Sequence, residues 1–191
     1  QFSLPSLRVN EQPLALTAAA TLGIVPAISA ALTLPQGRIS LASRVTPHAF
    51  IIDDAQLVLA QSRVKATGTV GRATDQESVV SVNGIVELSE LTRLPFVPLP
   101  ALEPWRLQGA MLVDAQWLGR FSAWPDATMK GRAQAEHLSV RDLPIDQLQC
   151  EFEQVDRTLR VRVPTALVAD GKFVAELTLE HRARTHDYLA Q

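Results

Sequence analysis

Apolar and polar residues alternate through much of the C-terminal half of the chain. From Trp105 to Trp117 the odd positions read Trp, Leu, Gly, Met, Val, Ala and Trp, while the even positions are mostly polar. Successive side chains of a β-strand point to opposite faces, so this period of two predicts a strand with one apolar face. The same period returns over 159–163 and 173–180, which flank Asp170-Gly171, a dipeptide that favours a tight turn.

Shorter runs of the same kind fill the rest of the chain, and Pro5 indicates an edge position for residues 2–9. Residues 87–94 are typical of a short helix, because three leucines recur there at three-residue spacing and Pro95 ends the run. The remaining predicted strands cover 14–22, 28–34, 39–45, 50–59, 64–70, 79–86, 129–140 and 145–153, with turns at Pro26, Pro35-Gln36-Gly37, Asp53-Asp54, Gly71 and Asn83-Gly84.

These elements predict an all-β chain in two halves. The Pro-rich stretch 95–104 is a stiff connection between an N-terminal half, 1–94, and a C-terminal half, 105–191. One short helix cannot cover ten or so strands, so the apolar faces need another cover. A sandwich that closes on itself would supply it, and so would a ligand held by a curved, largely antiparallel sheet. Periodicity by itself favours the sandwich, whereas an aromatic content of only 5% favours the groove.

Composition excludes several classes of function. The 191 residues include 18 Lys and Arg against 20 Asp and Glu, and this net charge of −2 argues against nucleic-acid binding. No apolar run reaches the roughly 18 residues that a membrane-spanning helix needs. Cys150 is alone, which excludes an internal disulfide and a paired-cysteine zinc site, and we interpret it as a small core residue. The start at Gln1 without Met indicates a fragment or a processed chain.

Residues that could perform catalysis or bind metal are not grouped in the sequence. The spacing of five between His181 and His186 suits neither one face of a helix nor one face of a strand, and we interpret the four histidines as solvent-exposed. Nucleophile-elbow, phosphate-loop and dinucleotide motifs are missing. We therefore predict a non-enzymatic chain without a metal or cofactor. Trp105 and Trp117 would lie about 40 Å apart along an extended strand, too far for one sugar-binding platform.

The order of strands and turns in the last third follows a recognisable pattern. A strand that starts with Gly131 is followed by the step Leu143-Pro144, then by a strand that begins at Ile145, and later by the return at Gly171-Lys172-Phe173. This pattern resembles the repeating C-terminal region of the AsmA-like proteins of Gram-negative envelopes, a group that includes TamB-like members. The resemblance covers residues 80–185.

The resemblance implies an open, taco-shaped β-groove that carries or shields phospholipid or fatty acyl chains during outer-membrane biogenesis. It also implies a periplasmic protein that is anchored in the inner membrane by a segment outside this fragment and reaches an outer-membrane partner. The alternative is a structural or adhesive β-sandwich module without a ligand. The residues that we expect to line the groove are Trp105, Leu107, Met111, Val113, Trp117, Leu148, Phe152, Leu159, Val161, Phe173, Leu177 and Leu179.

Overall fold

A computed structural model describes residues 2–9, 12–73, 75–91, 103–169, 171–181 and 188–190. The described residues form thirteen β-strands, one short α-helix and two 3₁₀ segments, Glu103–Trp105 and Phe121–Asp126. The strands are β1 Phe2–Val9, β2 Gln12–Thr21, β3 Ala27–Leu34, β4 Gly37–Val45, β5 Ala49–Leu59, β6 Arg63–Gly71, β7 Ser78–Glu87, β8 Ala110–Gly119, β9 Thr128–Val140, β10 Leu143–Val155, β11 Thr158–Val168, β12 Gly171–His181 and β13 Tyr188–Ala190, and the helix is α1 Leu88–Leu91.

All thirteen strands belong to one antiparallel sheet, in which each strand pairs with its neighbours in chain order. The sheet is open, because β1 and β13 stand at its two ends and do not pair with each other. This arrangement confirms the predicted all-β fold with one short helix, and it confirms the edge position of residues 2–9. The pairing of β1 with β2 shifts register between Leu4 and Leu7, around Pro5, which has no N–H to donate.

The sheet is continuous across the middle of the chain. β7 pairs with β8 from Ser78 opposite Gly119 to Glu87 opposite Ala110, so strands from the two predicted halves are direct neighbours. Residues 92–102 lie outside the described residues, and with them most of the predicted Pro-rich connection.

The described strands form a single layer. The accessible surface of the chain is 12675 Å², whereas a compact protein of 20.8 kDa exposes about 8,900 Å². In the described part of the chain, the buried hydrophobic cluster consists of Leu34 and Leu59 with three partly buried neighbours from β3, β4 and β5. A closed sandwich would bury apolar residues of all its strands between two layers. The sandwich weighed from the sequence is therefore not the observed architecture.

Two predicted turns are wrong because both dipeptides lie inside strands. Asp53-Asp54 forms a bulge in β5, where the pair Ile52–Gly68 is followed by Ala55–Ala66. Two residues thus oppose Thr67 alone, which puts both carboxylates on one face. Asn83-Gly84 lies in the middle of β7, which is paired on both sides. Gly84 has a φ of 155°, and a Cβ there would collide with the backbone of Arg63 and Val64. Glycine at this position therefore allows β6 and β7 to approach each other closely.

Two hairpins have tight turns without the glycine that usually marks such turns in a sequence. β9 and β10 are joined by Arg141-Asp142, and β10 and β11 by Asp156-Arg157, and all four residues have positive φ. Positive φ at both central positions is the mark of a type I′ turn, whose twist matches that of the flanking strands. The predicted turns at Pro26 and at Pro35-Gln36 are confirmed between strands, while Asp170 lies outside the described residues.

Candidate functional site

The register of the sheet collects the apolar residues of eleven strands on one face. Residues paired across an antiparallel ladder point to the same side, and alternate residues along a strand point to the same side, so the pairings trace each face from β2 to β12. We call the apolar side the inner face. None of its side chains in the rows that cross the middle of these strands is charged. Residues typical of it, strand by strand, are Leu16, Leu32, Leu41, Leu57, Val64, Val82, Val113, Ala133, Cys150, Val161 and Leu177.

The polar side chains described on the inner face are bonded to the backbone. Ser43 Oγ donates to the Ile28 carbonyl at 3.4 Å, and Ser78 Oγ accepts from the Gly71 N–H at 3.1 Å. The Gln154 amide donates to the carbonyl of Ala127 at 3.4 Å. All three side chains are buried and lie near strand ends along the same edge of the sheet. The middle of the inner face is therefore free of polar side chains.

The opposite side, the outer face, carries charges in alternating rows. One row runs across five neighbouring strands and changes sign at each step. Within it, Arg132 lies 3.5 Å from Asp114, and Arg162 lies 3.2 Å from Glu176. Opposite charges on directly paired strands stabilise the sheet and fix its register, while the exposed heads keep this face in water. The residues of the row are Asp114, Arg132, Glu151, Arg162 and Glu176.

The inner face is shielded although none of the described strands or helices forms a second layer over it. Along β8, the inner residues Met111, Val113, Ala115 and Trp117 are half-buried, while the outer residues between them are exposed. In a single layer, such shielding comes from neighbours on the same side, which a bend of the sheet toward that side brings together. Bulges supply the bend, and register shifts occur in β5, β10 and β11. The inner face is therefore the concave one.

The extent of the inner face exceeds that of ordinary exposed apolar patches. Ten strand spacings of about 4.8 Å separate β2 from β12, and strands of about nine residues are about 30 Å long, so the face covers about 1,400 Å². The largest apolar patch of a typical soluble monomer measures about 300–600 Å². An apolar surface of this size, left without a protein cover by the described residues, is the strongest candidate for a binding site.

Ten of the twelve predicted lining residues lie on the inner face. The register joins them into continuous rows across β8 to β12. One such row contains Trp117, Leu159 and Leu179, and another contains Phe152, Val161 and Leu177. The ten residues are Met111, Val113, Trp117, Leu148, Phe152, Leu159, Val161, Phe173, Leu177 and Leu179.

The other two lining residues, Trp105 and Leu107, precede β8, so the strand that we predicted from Trp105 starts too early. Trp105 ends a 3₁₀ segment and is 48% exposed. The Arg141 guanidinium lies 4.9 Å from its ring centroid, and the Arg141 N–H donates to the Trp105 carbonyl at 2.9 Å. A cation–π contact with the β9–β10 turn thus holds the indole outside the strand.

The sequence also left the N-terminal part of the face unassigned. The groove predicted from the sequence includes no residue of β2 to β7, although Leu32, Leu41 and Leu57 continue the same surface. The alternation that revealed the C-terminal rows is present there with smaller residues. Extending the same period-two count to these strands would have found them.

Cys150 is half-buried on the inner face, where it pairs with Ala133. Burial raises the pKa of its thiol, and the negative charge of Glu151 acts in the same direction. An environment that disfavours the thiolate is typical of a structural rather than a reactive cysteine. Cys150 is therefore a structural thiol, but it is half-buried on the inner face and is not the core residue that we predicted.

A depression of about 600 Å³ lies on the outer face between β8 and β11. Its polar walls include Asp114, Lys130, Arg132, Glu151 and Arg160, so charges of both signs alternate around it. These are long, exposed side chains that face their opposite charges on neighbouring strands. Its lining is mixed, because Ala115, Gly131 and Phe152 also contribute to it, and it lacks the continuous apolar rows of the inner face.

Two acidic side chains are buried at the strand ends beside α1, which the sequence did not suggest. Glu90 accepts from the Gln61 and Ser62 N–H groups, each at 2.9 Å, and from Ser62 Oγ at 2.6 Å. Glu87 accepts from the Gly109 N–H at 2.9 Å. These bonds tie α1 to the β5–β6 hairpin and to the start of β8, and their donors compensate the burial of the carboxylates.

The described residues contain neither a metal-binding cluster of side chains nor a membrane-spanning helix. None of the described His, Cys, Asp and Glu side chains forms a group of three that could hold a metal ion. Within the same residues, no helix has the length and apolar character required to cross a membrane. His137 is exposed, and its Nδ1 lies 2.6 Å from Asp146 Oδ1 on the neighbouring strand.

Comparison with known proteins identifies no relative of the chain. Neither the family models, nor the curated proteins, nor the solved structures give a match.

Proposed function

We propose that the inner face carries or shields the acyl chains of phospholipids or fatty acids. The observation that carries this proposal is an apolar face of about 1,400 Å², charge-free in its middle rows, that continues across eleven strands without a second layer of described residues. Acyl chains are long, flexible and apolar, so they can lie against such a face without the shape complementarity that a protein partner requires.

The physical basis is transfer from water to an apolar wall. Each methylene fully removed from water contributes about 0.8 kcal/mol. Small aliphatic residues such as Val82, Val113 and Ala133 make a low, even surface along which a chain can slide. Headgroups can stay in water along the open side of the sheet. The process makes and breaks no covalent bond, so the proposal requires no catalytic residue.

The cellular setting belongs to the same proposal. The strand and turn pattern over residues 80–185 resembles the AsmA-like proteins, and an open sheet with an apolar concave face suits a groove of their kind. We therefore propose a periplasmic location, an inner-membrane anchor outside this fragment, and transport of lipid toward the outer membrane.

Extraction of lipid from the purified protein tests the proposal. The protein is expressed in a Gram-negative host, purified without detergent, and extracted with organic solvent for lipid mass spectrometry. We expect phospholipid or fatty acid at a stoichiometry near or above one per chain, and clearly less from a Leu177→Asp variant prepared in parallel. A wild-type protein that repeatedly contains no lipid, and that binds no added fatty acid, would support the ligand-free structural module instead.

A further inference from the structure

The β2–β3 hairpin ends in the most exposed aliphatic cluster of the described residues. Leu22 is 90% exposed, Ile24 is fully exposed and Val25 is 48% exposed. A Cβ placed on Gly23 would meet no atom within 4 Å, so this segment projects away from the sheet. We call Leu22–Pro26 the hairpin tip. Aliphatic side chains grouped in this way are unfavourable in water and mark a surface that another apolar phase covers.

The hairpin that bears the tip is uncharged on both faces. Between Glu11 and Arg38 the chain has no charged residue. The outer faces of β2 and β3 carry alanine, threonine and serine, for example Ala19 opposite Ser29, whereas every strand from β4 to β12 except β7 has exposed charged side chains on that face. The tip is thus the end of an uncharged hairpin, and it extends beyond a sheet in which most of the other strands carry charge on their outer face.

The nearest charge to the tip is neutralised. Arg44 is opposite Ala27 in the β3–β4 ladder. Its guanidinium lies 2.6 Å from Asp53 Oδ1 and donates from Nε to Oδ2 at 2.9 Å. The base of the tip is also fixed, because the Val45 N–H donates to the Pro26 carbonyl at 2.7 Å. The Pro26 end of the tip is therefore anchored to β4, and the guanidinium of the neighbouring Arg44 is paired with a carboxylate.

We propose that the hairpin tip inserts into the acyl region of a lipid bilayer and holds this sheet at a membrane surface. Three side chains on a projecting loop offer far less than the roughly 800 Å² per partner that a stable protein interface buries. A fluid apolar phase needs no matching shape and closes around a convex tip. Because the hairpin carries no Lys or Arg, anionic headgroups are not required. This role goes beyond the groove, since insertion requires no acyl chain on the inner face.

Sedimentation with sucrose-loaded phosphatidylcholine vesicles tests the insertion. We expect the wild-type chain to bind these neutral vesicles, with a partition coefficient that is unchanged between 50 mM and 500 mM salt. The double variant L22D/I24D should bind at least tenfold more weakly. Val174→Asp is the matched control, because it places the same charge on another exposed aliphatic residue, 62% exposed on β12, and it should leave vesicle binding unchanged.

A second variant reports the depth of the tip. The added indole of Ile24→Trp should show blue-shifted emission with vesicles and quenching by lipids brominated in the acyl chain. Vesicle binding that requires anionic lipid and falls with salt, or that survives in L22D/I24D, would overturn the proposal. A wild-type dimer that L22D/I24D converts to a monomer would also overturn it, in favour of a second copy as the partner.

Failure of this inference is distinguishable from failure of the groove. L22D/I24D should retain wild-type affinity for a soluble fluorescent fatty acid, while Leu177→Asp should bind the fatty acid at least about tenfold more weakly and still bind vesicles. If both variants lost both activities together, the tip would not act as a separate membrane element.

Discussion

A single carboxylate on the inner face should interrupt acyl binding, whereas the same carboxylate on the outer face should not. Leu177 and Val174 lie three residues apart on β12 and point to opposite faces. Leu177 pairs with Val161 on the inner face, and Val174 is 62% exposed on the outer face. Leu177→Asp and Val174→Asp therefore make the same chemical change on one strand and differ in the face that they charge.

The expected magnitude follows from the width of one strand. An acyl chain that crosses β12 contacts the strand over about 4.8 Å, which corresponds to about four methylenes. An open groove covers about half of each methylene, so each contributes about 0.4 kcal/mol, and losing four costs about 1.6 kcal/mol. This corresponds to an affinity about fifteenfold lower. Desolvation of the new carboxylate by the bound chain increases the loss further.

Titration with a fluorescent fatty acid measures both variants, with circular dichroism and thermal unfolding as the test of folding. Leu177→Asp and Val161→Asp should each raise Kd at least about tenfold, while Val174→Asp and Arg160→Ser should stay within about twofold of wild type. Equal losses in the inner-face and outer-face variants would refute the assignment of the faces. Unchanged binding in all four variants would refute the groove itself.

Three further predictions concern other parts of the molecule. Burial raises the pKa of the Cys150 thiol, so this thiol should react with a thiol reagent at pH 8 more slowly than in the unfolded chain. Bound fatty acid should slow the reaction further, and equal rates with and without fatty acid would contradict the place of Cys150 on the inner face. Glu90→Gln replaces an acceptor of the Ser62 N–H and hydroxyl, and we expect a loss of about 1–3 kcal/mol in urea unfolding, whereas a neutral change would show that α1 is not held by this carboxylate. The hydrogen bond from Arg44 lowers the pKa of Asp53, so this pair stabilises the fold above about pH 4 and loses its effect as pH falls through the lowered pKa. Asp53→Asn should flatten that part of the plot of unfolding free energy against pH, and an unchanged plot would contradict the pairing.

The strands and their faces were largely predictable from the sequence. Alternation around Met111 and Val113 identifies both the strand and its apolar side, because side-chain direction in a strand depends only on position along the chain. The same reasoning placed Val161 and Leu177 on one surface before their pairing was known. Local periodicity is sufficient for this, since it needs no information about neighbouring strands.

Turns were less predictable because backbone conformation there depends on the partners of the flanking strands. Asp53-Asp54 has the composition of a turn and yet forms a bulge, since β4 and β6 pair with β5 on both sides of it. Arg141-Asp142 lacks glycine and yet forms a tight turn. In both cases the ladder hydrogen bonds outweigh the modest preferences of single residues.

The tertiary structure alone decided which elements come together over long separations. It moved Trp105 out of the strand and against Arg141, and it brought Glu90 to Ser62, because these contacts join residues whose spacing in the chain carries no signal. It also decided between sandwich and open sheet. Alternation fixes only that one face is apolar, whereas what covers that face depends on how far the whole sheet bends, a property set by bulges and pairing across all thirteen strands.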